Sequence, residues 1–363
     1  MNIGVLGGGQ LGRMLALAGY PLTLNFRFYD PSPMATAGII AESVTGEYDD
    51  FESLESFLEG LDVVTYEFEN VSLKAVDFIQ QRMDVFPPIQ ALEVAQDRLN
   101  EKNFFTKLGI PIAPFAQVDS FADLKKAIKK IGLPGILKTR RFGYDGKGQW
   151  FLQTPEDVEN LKEATSLKWM IYEGYVDFYE ELSLLSVRSK SGETAFYPLI
   201  ENEHHEGILQ VSFSPTSFSD HIRQKEAEEY AKKVLEELDY VGVLAIEFFV
   251  TIDEMLANEM APRVHNSGHL TIEGSDTSQF ENHLRAIIGL PLGSTKFRNW
   301  CTMYNIIGDL PDCEAILQVP GAHLHLYDKA PAPNRKIGHV TICGYDDEDM
   351  YNRIDILKQK AMS

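Results

Sequence analysis

The sequence predicts an α/β unit followed by an α+β unit, closed by a small β-rich C-terminal segment. Three observations carry this reading. Short apolar runs alternate with helical patterns from residue 2 to residue 85, the signature of a parallel sheet with crossover helices. Between residues 136 and 260 the apolar runs mostly follow one another with helices grouped between them, as in an α+β domain. After residue 295 only short strands and one terminal helix remain. The expected boundaries are 1–95, 96–294 and 295–363.

In the first segment, residues 2–6 read as a buried strand, 11–18 as its helix and 24–29 as a second strand. Residues 63–66 read as a further strand, 73–81 as a helix, and a short strand is expected near Val85. Pro87 and Pro88 then break any regular element and mark a domain edge. The middle segment predicts helices at 98–108, 121–131 and 224–238. Its strands are expected at 136–138, 149–152, 169–172, 182–188, 194–198, 243–251 and 254–260. The tail predicts strands at 302–307, 322–326 and 339–341 and a helix at 347–360, too small to stand alone.

Composition narrows the function. With 33 Lys+Arg against 54 Asp+Glu, the net charge of -21 repels polyphosphate backbones and argues against a nucleic-acid binder. An anionic ligand must therefore be held by a local cluster of donors. Cys301, Cys313 and Cys343 lie far apart in sequence without metal-ligand spacing, and read as reduced packing residues. That usage fits a reducing compartment. The chain opens directly into a strand without a basic flank, unlike a signal peptide. Its longest apolar run, 241–250, is interrupted by Glu247 and falls short of the roughly 20 residues of a membrane span. A soluble cytoplasmic protein is expected.

Several motifs point to chemistry. GGGQLG at 7–12 follows a strand and opens a helix, so its backbone amides suit an anion. Asp30, ending the second strand, sits where a dinucleotide's ribose would be bound, which keeps an NAD-linked oxidoreductase open. Gly12 equally fits a plain need for helix–sheet packing. Lys138 ends an apolar strand, and a loop with three glycines in six residues, 143–148, follows it. Such a loop lets amides close over phosphates, with Lys138 and Lys147 on either side. A simple hairpin is the alternative.

Glu247 within the apolar run 243–250 is a poor place for an unpaired carboxylate. A three-residue loop centred on Asp253 sets position 247 opposite position 259, each six residues from the centre. Two facing carboxylates call for a cation, and oxygen ligands beside a phosphate loop suit Mg²⁺. A register slip, or a Lys or Arg partner for Glu247, is the competing reading. Asn258 offers a further oxygen. Arg263, His265, Asn266 and Ser267 crowd donors just beyond Glu259, as in a substrate seat. Lys329, Arg335 and Lys336 surround a proline-stiffened turn that suits one phosphate. His204 and His205, in a polar stretch, read as surface residues.

These motifs, in this order, resemble the 5-(carboxyamino)imidazole ribonucleotide synthases, ATP-grasp ligases of purine biosynthesis. They are GGGQLGRM at the start, VVTYEFENV at 63–71, QDRLNEK at 96–102 and FGYDGKGQ at 142–149. EFF…NEMAPRVHNSGH through His269 and YDK…NRKIGH ending at His339 complete the set. The resemblance implies a Rossmann-like first domain without NAD, a central ATP-grasp domain and a small C-terminal domain. It implies ATP and Mg²⁺, with Arg98, Lys138, Gly143, Tyr144, Asp145, Gly146, Lys147, Gly148 and Gln149 at the phosphates. Glu173, Gly174, Tyr175 and Val176 would meet adenine, Glu181 the ribose, and His204 the nucleotide again, against its surface reading. Glu247 and Glu259, beside Asn258, would hold the metal. Lys138, Arg263, His265 and Asn266 would serve catalysis.

The same resemblance places 5-aminoimidazole ribonucleotide and bicarbonate against Gly9, Gln10, Leu11, Tyr144, Asp145, Arg263, His265, Asn266 and Ser267. Lys329, Arg335 and Lys336 would take the 5′-phosphate. It also implies a homodimer. The rivals are a formate-using purine transformylase of the same fold, the NAD-linked oxidoreductase, and a non-enzymatic nucleotide-binding module.

Overall fold

A computed structural model describes residues 1–143, 148–164, 167–214 and 221–361. The first sheet is parallel, in the order Glu42–Thr45, Asn25–Asp30, Asn2–Leu6, Val63–Tyr66. The expected strand near Val85 is a single parallel bridge from Val85 to Val64. Ile3, Val5 and Leu6 are fully buried because crossover helices cover the sheet. Helix Gln10–Gly19 turns Leu11, Met14 and Leu15 onto Phe26 and Phe28. A Cβ at Gly12 would stand 3.0 Å from the Phe28 ring and 3.3 Å from the Gly7 carbonyl, so close packing alone demands glycine there.

The second sheet is antiparallel, ordered Phe115–Val118, Met170–Gly174, Gly135–Thr139, Gln149–Leu152. Helices Phe121–Ile131 and Pro155–Ala164 share its apolar core through Leu124, Ala127, Val158 and Leu161.

The third sheet has nine strands. Its path runs Met255–Ala261, Gly242–Val250, Glu180–Arg188, Ile200–His205, Ile208–Ser214, Trp300–Ile307, Lys336–Gly344, Ala322–Leu326, with Thr194–Phe196 paired off Glu180–Arg188. The tail's strands therefore continue the sheet of the preceding segment through the pairing of Ile208–Ser214 with Trp300–Ile307. The terminal helix Asp347–Ala361 packs on Trp300–Ile307 and Lys336–Gly344. Cys301 and Cys343, distant in sequence, stand directly opposite one another in this sheet. No helix among the described residues is long and apolar enough to cross a membrane.

Helix Gln279–Ile288, absent from the sequence reading, joins the first and third sheets. Phe280, Leu284 and Ile287 bury between helix Gln10–Gly19 and strand Gly242–Val250. Phe280 is 1% exposed, so Phe280→Ala is expected to cost about 3–5 kcal/mol through lost burial and a cavity. Calorimetry checks this: an unchanged melting transition would show that the joint carries no such load.

Candidate functional site

The first sheet, the second sheet, the third sheet and the tail all send side chains into one cleft of about 980 Å³. On the second sheet, Lys138 reaches across to the adjacent strand, where its Nζ donates to Glu173 Oε2 at 2.9 Å. Lys102 Nζ lies 3.8 Å from the same oxygen. Burial alone would raise the Glu173 carboxyl, yet Lys102 and Lys138 together hold it down at about 2. Burial lowers Lys138 in turn, and Glu173 opposes that. Glu173 thus fixes the ammonium of Lys138 at the cleft wall.

The hairpin that carries Glu247 and Glu259 is built differently from the expectation. Val250 pairs with Met255, Phe249 with Leu256 and Phe248 with Ala257, so the turn spans four residues, 251–254. A regular ladder would then set Glu247 against Asn258. The register instead shifts between Glu247 and Phe248, Asn258 is the extra residue, and Glu247 stands opposite Glu259. The anticipated pairing is real, but a β-bulge produces it. Bulges of this kind gather on edge strands beside functional sites, and Met255–Ala261 is the edge strand.

Helix Arg98–Lys107 clamps that bulge. Lys102 Nζ donates to the Asn258 carbonyl at 2.7 Å, and the Met260 amide donates to Glu101 Oε1 at 2.7 Å. Asp97 caps the helix and takes a two-pronged bond from Arg140, at 2.9 and 2.7 Å. Arg98 Nη1 meets Glu259 Oε2 at 3.2 Å, and its Nη2 donates to the Gly143 carbonyl at 3.3 Å. Burial, and then the Glu259 charge, push Glu247 up to about 7 and Glu101 up to about 8.

His265 Nε2 lies 3.5 Å from Glu247 Oε1. The Ser267 amide donates to His265 Nδ1 at 3.4 Å, which leaves the ring proton on Nε2. Burial and the nearby Arg263 hold this imidazole well below its ordinary value, so it is neutral. Arg263 is engaged by Glu69 and by the Val264 carbonyl. Asn266 exchanges amide bonds with Asn305 at 3.0 and 2.9 Å. His204 Nδ1 meets Glu181 Oε2 at 2.7 Å. Burial lowers the His204 ring, but its bond to Glu181 and the Glu247 charge raise it on balance. The surface reading of His204 is thus corrected by its place on the cleft wall, whereas His205 is exposed.

Of the remaining expected site residues, Gln10, Leu11, Gln149, Gly174, Tyr175 and Val176 line the cleft. So do Lys329, Arg335 and Lys336. Lys329 donates to Gln10 Oε1 at 2.5 Å, and Arg335 to the Ala330 carbonyl at 3.2 Å. Gly9, Gly148 and Ser267 do not line it. The Ser267 hydroxyl is fully buried and taken up by Ser183 and His265, so it steadies the His265 ring from behind. The Gly148 carbonyl accepts from the Thr139 amide at 2.9 Å. Tyr144, Asp145, Gly146 and Lys147 fall outside the described residues.

Glu67 went unread in the sequence. Its carboxylate accepts from the Gly9 amide at 2.5 Å and the Gly12 amide at 2.8 Å, while Asp30 accepts from Gly8 at 2.8 Å. The donors that a dinucleotide's pyrophosphate would use are taken by the chain's own carboxylates, and Asp30 turns to the loop instead of a ribose. This geometry removes the reason for an NAD enzyme. The available signal was position: Glu67 and Glu69 directly follow strand Val63–Tyr66, at the carboxyl edge where open parallel sheets bind ligands.

Comparison with known proteins supplies the family. Residues 1–96 match the ribonucleotide synthetase preATP-grasp domain, 103–280 the ATP-grasp domain, and 301–353 the phosphoribosylaminoimidazole carboxylase C-terminal domain. An N5-carboxyaminoimidazole ribonucleotide synthase of Pseudomonas aeruginosa is 50% identical over 354 residues, 98% of each chain. The crystal structure of N5-carboxyaminoimidazole ribonucleotide synthetase from Thermus thermophilus is 53% identical, with a TM-score of 0.95 over 99% of this chain and 98% of that one. The N5-carboxyaminoimidazole synthase of Aspergillus clavatus, solved with ADP and 5-aminoimidazole ribonucleotide, is 32% identical, with a TM-score of 0.91 over 99% and 98%. The chain belongs to the N5-carboxyaminoimidazole ribonucleotide synthase family of ATP-grasp proteins.

Proposed function

We propose that this chain is an ATP-dependent carbon–nitrogen ligase of de novo purine biosynthesis, adding a carboxyl group from bicarbonate to the amine of 5-aminoimidazole ribonucleotide. The observation that carries the reading is one cleft shared by three clusters. These are the Lys138–Glu173 pair with Arg98, the opposed Glu247 and Glu259, and the cationic turn of Lys329, Arg335 and Lys336. The first two suit a triphosphate, and the third suits a substrate's own phosphate. ADP and 5-aminoimidazole ribonucleotide occupy the Aspergillus clavatus relative together.

ATP phosphates would lie against Lys138, Arg98 and the loop 143–149, with the base toward Glu173–Val176 and the ribose toward Glu181 and His204. Glu247 and Glu259 offer only oxygen donors, and Glu247 is raised by burial and by its opposing carboxylate, so the pair fits Mg²⁺. Among the described residues no group of three or more acidic, His or Cys side chains could hold a metal by itself. Phosphate and water oxygens would thus complete the shell, with Asn258 beside it. The ion, when bound, would offset charge on the transferring phosphoryl group.

Bicarbonate oxygen attacks the γ-phosphorus, the bond to the ADP oxygen breaks, and carboxyphosphate results. The 5-amino nitrogen then bonds to the carboxyl carbon, released phosphate leaves, and the nitrogen gives up a proton. Arg263 and Asn266, held by Glu69 and Asn305, orient bicarbonate and the imidazole. Neutral His265, with its proton on Nε2 facing Glu247, donates a hydrogen bond without adding a charge. Lys329, Arg335 and Lys336 anchor the ribonucleotide 5′-phosphate, and Gln10 places Lys329. We further place the protein in the cytoplasm as a homodimer.

One assay tests the reaction. Phosphate release from MgATP should require both 5-aminoimidazole ribonucleotide and bicarbonate, and release dependent on formate would assign the chain to transformylation instead. Glu259→Gln should lower kcat at least about a hundredfold, since it removes a ligand of the ion that would offset transition-state charge, and should leave the melting transition near that of the parent. Undiminished turnover would take Glu259 out of the metal site.

Glu247 also has a pH signature. From the ordinary 4.5 up to about 7, the folded chain keeps a proton on Glu247 that the unfolded chain has released. Stability therefore falls as pH rises through that window. Glu247→Gln should be inactive yet more stable than the parent at about pH 8, by about 2 kcal/mol, with the gap closing toward about pH 4. Melting curves without metal or nucleotide measure this, and a variant no more stable than the parent at alkaline pH would contradict the raised Glu247.

A further inference from the structure

We propose that Cys301 and Cys343 form a modification site, a dithiol that a peroxide converts into a cross-strand disulfide joining strands Trp300–Ile307 and Lys336–Gly344. The two residues are direct partners in the antiparallel ladder, and their Sγ atoms lie 2.7 Å apart. The Cys343 amide donates to the Gly321 carbonyl at 3.1 Å, beside strand Ala322–Leu326 on the far side from Cys301. The Cys343 carbonyl accepts from Arg353 Nη1 at 2.8 Å. In an antiparallel strand the amide and carbonyl of one residue point the same way, so Cys301 and Cys343 are a non-hydrogen-bonded pair. Such pairs hold Cα atoms about 4.5 Å apart, within the span of roughly 4.4–6.8 Å that a disulfide accepts. Backbone and side chains are already in place, and closure needs little movement.

The two thiols differ in access. Cys301 is fully buried, whereas Cys343 is partly exposed and meets solvent oxidant first. Cys343 sulfur attacks hydrogen peroxide: an S–O bond forms, the O–O bond breaks, and the departing hydroxide takes the thiol proton as water. Cys301 sulfur then attacks Cys343 sulfur: the S–S bond forms, the S–O bond breaks, and a second water leaves with the Cys301 proton. Two thiols lose two electrons and one peroxide becomes two waters. Burial shields Cys301 from direct over-oxidation while its sulfur stays in contact with Cys343. The remaining thiol, Cys313, sits against the Pro311 carbonyl.

The link would close the chain from 301 to 343 around the cationic turn and so restrict the unfolded state. It lies seven residues along its strand from Lys336, about 23 Å at strand rise. Neither cysteine lines the cleft. The site is therefore a staple for the tail and leaves catalysis alone.

The test treats the full chain with hydrogen peroxide, alkylates it and maps its peptides. Expected are a Cys301–Cys343 peptide pair lighter by two hydrogens, one free thiol at Cys313, and reversal by dithiothreitol. The oxidised protein should melt several degrees higher, with bicarbonate-dependent phosphate release unchanged. Cys343→Ser should lose both the peptide pair and the peroxide-induced melting shift. Three free thiols after treatment, Cys343 driven to sulfinic acid beside a reduced Cys301, or a melting shift persisting in Cys343→Ser would each overturn the proposal.

Discussion

Two carboxylates set face to face inside a sheet repel, and much of the surrounding structure exists to hold them there. Glu247 lies on an inner strand and Glu259 on the edge. Left to its turn, the hairpin would offer Asn258 to Glu247. One inserted residue changes this, and the insertion is held from outside by Lys102 on the Asn258 carbonyl and Glu101 on the Met260 amide. The helix carrying these residues is fixed in turn by Asp97, which Arg140, just beyond strand Gly135–Thr139, grips. The position of the opposed glutamates on the large sheet is thus tied to strand Gly135–Thr139, which carries Lys138. Lys138 and the opposed glutamates are spaced by a chain of buried ion pairs and hydrogen bonds.

The cleft separates two kinds of buried carboxylate. Glu173 has two lysines beside it and stays ionised. Glu247 is buried with a like charge opposite, and these outweigh the favourable fields of His204 and Lys336, so it resists ionisation. A partnered carboxylate is a structural prop, because its charge is already offset. One that resists ionisation is primed to gain a cation, because binding relieves a standing repulsion. Burial raises Glu67 as well, but its oxygens are taken by the amides of Gly9 and Gly12, and that engagement sets it apart from the opposed pair. It explains why a glycine turn shaped like a dinucleotide site does not act as one.

The sequence made Glu247 legible because a charged residue interrupts an apolar run, a contrast that periodicity exposes. Glu101 and Lys102 escaped for the opposite reason. They are buried beside Phe105 on the inward face of helix Arg98–Lys107, so the helix hides charge where a reader looks for Leu or Ile. Strands Ile200–His205 and Ile208–Ser214 went unread because Asn202 and Ser212 face inward, Ser212 donating to Asn202 and Asn202 to Ser183. Helix Gln279–Ile288 buries Gln279, Asn282 and His283, each with a partner from another element. Pattern reading equates inward with apolar, and it fails wherever an interior is polar and satisfied. The bulge at Asn258 has no compositional mark at all. Counting residues reached the right pair only because an error of one in the turn was matched by an insertion of one in the strand.

The tail shows why a cleft assembled from separate stretches can still be rigid. Its cationic turn follows strand Ala322–Leu326 and precedes Lys336–Gly344, and these join the large sheet through Trp300–Ile307. The route from Lys336 to Glu247 therefore crosses backbone ladders, which resist stretching far better than side-chain contacts between independent domains. Lys329 adds a second tie by reaching Gln10 at the start of the first helix. A substrate phosphate held by this turn would be anchored to the same sheet that carries Glu247 and Glu259. That common frame lets an amine and an activated carboxyl group meet in one geometry, and positioning of this kind is where much of the rate enhancement in such transfers originates.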